Sequence, residues 1–439
     1  MAHRTPKAAG NTQRGITRAL RHRNFRLFFS GQSVSLIGTW ITRIATSWLV
    51  YRLTDSALLL GLVGFCGQIP TLLLAPFAGV LVDRWDRHKI LVWTQALSAL
   101  QSFALAGLAL SGTITVGWVL WLQVAQGLIN AFDTPARQAF VVHMVDDRND
   151  LPNAIALNST MVNGSRIIGP SIGGLIIAAV GEGWCFAIDG VSYIAVIASL
   201  LAMRLPARTV RPRGGAILDE LRTGFEYVTR FAPVRTALLL LALVSLMGMP
   251  YTVLMPVIAT ETLHGGAHTL GFLMTASGIG AVGGALYLAS RRSVLGLGRV
   301  MVFATIAFGA GLIGFSQARA LWSALLVLPV VGAGMMIEMA ATNTILQTMV
   351  SEELRGRVMA FYTMAFLGTA PIGSLLAGVV ADRYGASPTI LLGGAACIAG
   401  GVWLALRLRG LREQVRPIYI ERGVIAAVEA DAGTARGIP

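Results

Sequence analysis

Long apolar runs recur along the whole chain and constrain its fold more than any other feature. We count twelve of them between charged or Pro/Gly-rich breaks, at residues 25–50, 57–82, 89–111, 116–141, 153–180, 184–203, 234–260, 269–289, 300–317, 320–349, 357–381 and 386–406. A membrane-spanning helix needs about 20 such residues, whereas barrel strands would alternate polar and apolar positions. Only 13% of the residues are charged, about half the share in a soluble domain. The runs predict an all-α integral membrane protein with twelve transmembrane helices.

The positive charges fall mainly on one side of the predicted membrane. The chain has 35 Lys and Arg and a net charge of +14. If the N-terminus is cytoplasmic, only Arg52, Arg319 and Arg383 lie on the opposite side. Because Lys and Arg accumulate in cytoplasmic loops, we expect a multi-pass protein of the inner or plasma membrane with both termini in the cytoplasm. The basic residues are then expected to contact anionic membrane lipids and not nucleic acid.

The runs form two groups of six that are joined by a polar linker. This linker is rich in Pro, Arg and Gly, and residues 216–231 have the pattern of an amphipathic helix at the membrane surface. We expect, in order, a basic cytoplasmic tail, a six-helix bundle, a cytoplasmic linker with that helix, a second six-helix bundle and a cytoplasmic tail. Their boundaries are 1–24, 25–204, 205–233, 234–406 and 407–439.

A weak internal repeat relates the two groups. Gly127–Val145 in the fourth run aligns without a gap with Gly332–Val350 in the tenth, which sets Asp133 opposite Glu338. Related bundles of this kind enclose a binding site near the bilayer midplane and rock about it. The repeat therefore predicts two pseudo-symmetric six-helix bundles with a cavity between them.

Three stretches resemble the major facilitator superfamily. Gly79–Ile90 carries the Gly-x-x-x-Asp-Arg core and the basic residues of that family's loop between its second and third helices. Gly164–Gly174 is similar to its Gly-Pro-x-x-Gly-Gly exporter motif, and Phe132–Arg137 resembles the branch of macrolide and enterobactin exporters. The resemblance implies the major facilitator fold, a cavity lined by the first, fourth, seventh and tenth spans, and export. One departure is Gln123, which stands where the fourth-span motif has an Arg credited with proton coupling.

The charged turn after the second run is a candidate latch of the inner gate. Its candidate residues are Gly79, Asp83, Arg84, Arg87 and Lys89. The Asp83 carboxylate is expected to bind free N–H groups at a facing helix N-terminus or a nearby Arg. The alternative is a plain basic turn that only sets topology. A second Gly-x-x-x-Asp-Arg, at residues 378–383, falls on the opposite face, so we expect a latch on the cytoplasmic side alone.

Two carboxyl groups inside spans are candidates for coupling or substrate contact, because charges there are costly and mark functional sites. Asp133 has Arg137 one helical turn on, so it forms either a structural pair or a carboxylate that responds to protons or cations. Glu338 has no basic residue within four positions. It indicates a coupling site or a substrate contact, unless Arg43 or Arg166 pairs with it.

Three further charged residues are candidates for the cavity. Arg43 in the first span and Arg166 in the fifth lack a partner in the sequence, and each could pair with Asp133, Glu338 or an anionic substrate group. Asp189 lies early in the sixth span, closer to the outer interface, where a solvated or capping role is the alternative.

The fifth span contains the exporter-type helix bend, formed by Gly169, Pro170, Gly173 and Gly174. Proline kinks a helix, and glycines allow close packing in membranes. Either this packing seals the two bundles on one side and so favours export, or it only packs helices.

Composition and motifs together indicate a transporter. We find no clustered His/Cys/Asp set, and the two lysines, Lys7 and Lys89, form no nucleotide-binding loop, so we expect no enzyme, no metal and no cofactor. Met and aromatic residues in the cavity-lining spans suit bulky amphipathic substrates. We expect a monomeric, proton-coupled efflux antiporter of drugs or siderophores that works by alternating access. The alternatives are a lipid or lysophospholipid transporter and a non-transporting membrane sensor.

Overall fold

The computed structural model describes residues 17–141, 144–145, 147–204, 217–291 and 293–422, without the side chains of residues 75, 76, 79, 80, 83, 148 and 217–221. Two short 3₁₀ turns, Arg18–Arg21 and Arg148–Asp150, precede the first and fifth long helices. The long helices of the N-terminal half are α1 (Arg23–Thr54), α2 (Ala57–Arg84), α3 (Arg87–Leu110), α4 (Val116–Phe140), α5 (Leu151–Val180) and α6 (Glu182–Leu201).

The C-terminal half begins with a short amphipathic helix and continues in longer ones. Its helices are α7 (Ile217–Arg230), α8 (Ala232–Leu243), α9 (Tyr251–Val257), α10 (Ala267–Ser290), α11 (Leu297–Gln317), α12 (Leu321–Met349), α13 (Glu352–Thr363), α14 (Thr369–Tyr384) and α15 (Ala386–Glu421). Wide π-helical turns interrupt two of its spans. Val244–Gly248 lies between α8 and α9, Ile258–Thr262 follows α9, and Met364–Gly368 joins α13 to α14. Such turns bend a helix and are frequent at functional sites.

Most of the described helices are able to cross a membrane. Nine segments are long and apolar enough, with residues 232–262 and 352–384 counted as one segment each. The other three long helices, α1, α4 and α5, have 32, 25 and 30 residues and pack in the same bundle, but they are more polar. Together these helices correspond to the twelve apolar runs, and the prediction of an all-helical membrane protein is confirmed.

The helix ends form two opposite faces. Asn24 Nδ2 donates a hydrogen bond to the carbonyl oxygen of Arg204 at 2.9 Å, which joins the start of α1 to the end of α6. We call this side the terminal face, because the described chain begins and ends there. On the other side, Arg52 Nε lies 2.8 Å from Glu182 Oε1, which joins the end of α1 to the start of α6. We call that side the distal face.

Buried apolar side chains form one shared cluster and two separate ones. The shared cluster lies toward the distal face and contains Ile44 of the N-terminal half together with Tyr251 and Phe308 of the C-terminal half. Toward the terminal face each half has a cluster of its own, one around Phe140 and one around Met349. The two halves therefore share a core near the distal face and keep separate cores near the terminal face.

Two tight turns at the distal face require glycine. Gly181 (φ +88°) separates α5 from α6, and Gly385 (φ +91°) separates α14 from α15. Residues with a side chain rarely adopt such angles. The two turns occupy corresponding places in the two halves, in line with the internal repeat.

The C-terminal half extends further than the apolar runs indicated. α15 continues past residue 406 to Glu421, because Val415 and Tyr419 pack into the terminal-face cluster of this half. The amphipathic helix α7 lies against α13, and the rings of Phe225 and Phe361 are 6.3 Å apart. Residues 1–16 and 423–439 of the predicted tails, and residues 205–216 of the predicted linker, lie outside the described residues.

Candidate functional site

Two glycine seams hold the halves together near the distal face. A Cβ added to Gly61 of α2 would lie 3.1 Å from the Cα of Gly378 on α14. A Cβ added to Gly174 of α5 would lie 3.1 Å from the Cα of Gly271 on α10. Small residues allow this backbone-to-backbone approach of membrane helices. The seams therefore close the distal end of the interface between the halves.

Two hydrogen bonds clasp the halves at the same end. Tyr51 Oη of α1 donates to Glu261 Oε1 in the π-helical turn after α9 at 2.5 Å, and Ser56 Oγ donates to Asp382 Oδ1 of α14 at 3.1 Å. Asp382 belongs to the second Gly-x-x-x-Asp-Arg, whose Gly378 forms a seam. The second copy of the motif thus also makes a contact between the halves, and the latch on the cytoplasmic side alone stays a prediction.

The exporter-type bend contacts both halves. Gly169 packs against Trp40 of α1, and a Cβ on Gly173 would lie 3.2 Å from the Cα of Ile41. The next residue, Gly174, faces α10 instead. This one stretch of α5 therefore fixes α1 within its own half and forms one of the seams to the other half.

Arg43 and Arg166 share the indole ring of Trp40. Their Cζ atoms lie 4.9 and 5.9 Å from the ring centroid. Arg43 is exposed although it is in the middle of α1, and the backbone of Arg166 abuts Gly278 of α10. Neither guanidinium has a hydrogen bond or an ion pair to another of the described residues. Two positive charges thus lie together where the halves meet.

Asp133 lies inside the N-terminal half. The predicted pair with Arg137 is present, with Nη2 3.2 Å from Oδ2. Thr94 Oγ1 and Gln95 Nε2 of α3 donate to Oδ1 at 3.0 and 2.8 Å. Sequence reasoning missed these two donors, although polar residues within the apolar third run were a usable signal. The carboxylate is fully partnered.

Asp189 is also an interior residue. Its exposure is 1%, so it is not a solvated group. Ser102 Oγ of α3 donates to its Oδ2 at 2.9 Å, and the N-cap of α6 is Gly181 and not Asp189. The solvated and capping alternatives therefore do not describe it.

Glu338 is buried in the C-terminal half with one oxygen unpartnered. Its exposure is 1%, and Thr342 Oγ1 donates to Oε1 at 3.0 Å. Oε2 has no hydrogen-bond partner among the described residues. Gly334, one turn earlier on α12, abuts α11, where a Cβ would meet the carbonyl oxygen of Ala304 at 2.8 Å. Glu338 therefore faces the interior of its own half, and it forms no ion pair with Arg43 or Arg166.

The candidate latch lies at the terminal face. Arg84 and Lys89 are exposed there, and Arg87 Nη1 donates to a backbone carbonyl of α4 at 3.4 Å. Gly79 and Asp83 belong to α2, but the side chain of Asp83 lies outside the described part of the chain. The contact of Asp83 stays a prediction.

Part of the predicted Met and aromatic lining is helix packing. Tyr251, Met255 and Met335 are buried in the shared apolar cluster. Met247 is 38% exposed, and Trp40 is half-buried beside the two arginines. Trp40 therefore stays partly accessible, whereas the three buried residues do not line a cavity.

The sequence matches known membrane transporters along almost its whole length. Residues 16–433 match the family model described as transmembrane secretion effector. The chain is 27% identical over 377 residues to a staphyloferrin A transporter of Staphylococcus aureus, covering 85% of this chain and 93% of the relative. It is 29% identical over 366 residues to the multidrug efflux pump Tap of Mycolicibacterium fortuitum, covering 81% and 88%. Macrolide efflux protein A of Streptococcus pyogenes is 23% identical over 392 residues, covering 86% and 96%.

The fold is similar to that of solved transporters. A bacterial homolog of the human lysosomal transporter Spinster, in an inward-facing and unoccupied conformation, superposes with a TM-score of 0.67 at 14% identity. The match covers 94% of this chain and 99% of that chain. At this identity the likeness concerns the fold alone.

Proposed function

The chain belongs to the transmembrane secretion effector family of the major facilitator superfamily, and from this premise we propose that it is a proton-driven exporter of bulky amphipathic small molecules. Its family and relatives are transporters and not enzymes, as the sequence predicted. The proposed exporter works as a monomer by alternating access. The names of the relatives Tap and macrolide efflux protein A support export, and the staphyloferrin A transporter supports substrates of siderophore type.

The observation that carries the proposal is the arrangement of the three apolar clusters. A shared core at the distal face and separate cores at the terminal face describe two bodies that touch at one end. The hydrogen bonds between the halves support the same geometry. Among the described residues, these bonds lie toward the distal face or near the middle of the membrane. This is the geometry of one end state of a rocking transporter.

The charge distribution supports a cytoplasmic terminal face. Basic residues such as Arg84 and Lys89 lie at that face, whereas few lie at the distal face. Under the positive-inside rule the distal seal then faces the outside. The exporter would load its substrate from the cytoplasm or the inner leaflet in this state, and the Gly174 seam would hold the outer side shut.

The latch at the terminal face would act in the opposite state. α2 and the span formed by α13 and α14 run antiparallel, and each ends in Gly-x-x-x-Asp-Arg. At the distal face, Asp382 at the end of α14 accepts a hydrogen bond from Ser56 at the start of α2. When the terminal ends close, the same pairing would bring Asp83 to the first turn of α13, near Arg355. Free N–H groups and a cation both favour a carboxylate there.

Glu338 is the proposed proton carrier. It is a membrane-embedded carboxyl group with no cationic partner among the described residues, and such groups form proton relays in transporters. The titratable groups that face it are Tyr362 of α13 and Cys397 of α15, while Thr342 donates its hydrogen bond. Asp133 is held by Arg137 and α3, so we assign it a structural role.

Transport by purified protein in proteoliposomes tests the proposal. Counterflow with a panel of drugs and siderophores is measured with and without a pH gradient for wild type, Glu338→Gln and the exposed control Glu353→Gln. We expect gradient-driven accumulation by wild type and control, and counterflow without gradient dependence in Glu338→Gln. Full gradient-driven transport by Glu338→Gln would remove this residue from the coupling mechanism. No movement of any compound by wild type would refute the exporter.

A further inference from the structure

The charge around Trp40 is unbalanced. Arg43 and Arg166 approach the same indole ring, so their two positive charges lie close to each other. A guanidinium over an indole face is attracted by the ring quadrupole, but two cations still repel each other. In the part of the chain that the structure describes, no carboxylate forms an ion pair with either one. Charged side chains inside membrane spans normally pair or face a water-filled cavity.

The pair lies on the path between the halves. Arg166 precedes Gly174 by eight residues, which places it about 12 Å from the seam along the α5 axis, toward the terminal face. Its backbone abuts Gly278 of α10 in the other half. The hydroxyl groups of Ser171 and Thr275 are 2.8 Å apart and close the interface on the distal side of the pair. The arginines therefore lie on the terminal side of the Gly174 seam, where a molecule entering from the terminal face would stop.

We propose that Arg43, Arg166 and Trp40 form the binding site for a carboxylate group on the transported molecule. This inference rests on the proposed export function and assigns its substrates an anionic head. A guanidinium presents a planar fork of N–H donors that matches a carboxylate. One carboxylate between the two forks neutralises their repulsion, and the accessible part of the Trp40 ring offers a surface for a flat apolar body. The site therefore selects anionic amphiphiles over neutral compounds of the same shape.

Binding of a matched pair of probes tests the site. The probes are 1-pyrenebutyrate and its neutral amide, and binding to protein in nanodiscs of uncharged lipid is followed by energy transfer from tryptophan to pyrene. The variants are Arg43→Gln, Arg166→Gln and Arg43→Lys, with Arg319→Gln as the control, because Arg319 is exposed at the distal face. A pyrene-labelled lysophosphatidic acid is the third probe and represents a lipid phosphate.

We expect wild type and Arg319→Gln to bind the carboxylate about 10- to 100-fold more tightly than the amide, the factor that one charge-assisted hydrogen bond supplies. Each Gln variant should lose that preference and keep its affinity for the amide, and the Lys variant should fall between, because it keeps the charge without the fork. The proposal is overturned if wild type binds both probes equally or neither saturably. If the Gln variants lose binding of both the amide and the carboxylate, the arginines stabilise the structure of the site and do not select the carboxylate.

Tighter binding of the lysophosphatidic acid than of the carboxylate would reassign the site to a lipid phosphate and overturn the carboxylate assignment. These measurements use no gradient, whereas the export proposal is tested by gradient-driven accumulation. The two proposals can therefore fail independently.

Discussion

Substitution of Gly174 by alanine should shift the protein away from the state with a sealed distal face. The added Cβ would lie 2.7 Å from the carbonyl oxygen of Ala267 and 3.1 Å from the Cα of Gly271, whereas ordinary contact begins at 3.4 Å. The atoms it meets are backbone, so α5 and α10 have to separate by roughly 0.7 Å or more for the seam to form. Only the sealed state carries this clash.

The expected size follows from the cost of overpacking. Inserting a methyl group into a tight interface costs about 1–3 kcal/mol, and a difference of that size changes an equilibrium constant about 5- to 150-fold. The helical preference of alanine over glycine acts in both states and therefore cancels. Gly61→Ala should act in the same direction at the other seam, where the Cβ would lie 2.5 Å from the carbonyl oxygen of Ser374.

Distances between spin labels at the distal face measure this equilibrium. Labels at Ser111→Cys and Trp322→Cys report on the two halves, because both positions are exposed at distal helix ends. The three native cysteines are first replaced. Gly164→Ala of α5 and Gly283→Ala of α10 are matched controls, since a Cβ at either position meets nothing within 4 Å. If Gly174→Ala leaves the distance distribution as unchanged as these controls do, the seam does not stabilise the sealed state.

Three further predictions concern single residues. Tyr51→Phe removes the hydrogen bond to Glu261 and should widen the same spin-label distances, whereas Tyr384→Phe, at an exposed ring, should not; equal behaviour of the two would contradict the clasp. Asp83→Asn should slow transport and switching while leaving substrate affinity nearly unchanged, and a large loss of affinity with normal switching would refute the latch. Gly385→Ala should lower the free energy of unfolding by about 1–3 kcal/mol, because alanine is strained at φ +91°. The loss is measured as a lower melting temperature in detergent. Gly356→Ala, at an exposed position of α13, should show no such loss.

Features that depend on local spacing could be predicted from the sequence. Each apolar run is long enough to span the membrane, so the number of runs gives the number of spans. The one-turn spacing of Asp133 and Arg137 suffices for their ion pair. The Gly-Pro stretch of α5 indicated close packing, and the structure has it against both α1 and α10. These properties follow from helix geometry and need no knowledge of the partner helices.

Features that depend on which helices meet could not be predicted. Tyr51 and Glu261 are 210 positions apart, and no local pattern links them. The interior orientation of Glu338 is set by the packing of α12 on α11, which a hydrophobic run does not reveal. The π-helical turns around α9 were equally hidden, because a widened turn has the same apolar composition as a regular one.

The hydrogen bond between Asn24 and Arg204 bears on how the protein is made. It joins the start of the first helix to the end of the sixth at the terminal face, and Ala19 N donates to Asn153 Oδ1 at 2.9 Å within the same half. None of these contacts needs a residue of the second half. Because domains fold as units during synthesis, N-terminal first, the first bundle can assemble in the membrane while the ribosome still translates the second. Two separately expressed halves, divided within residues 205–216, should then assemble along the glycine seams into a working pair.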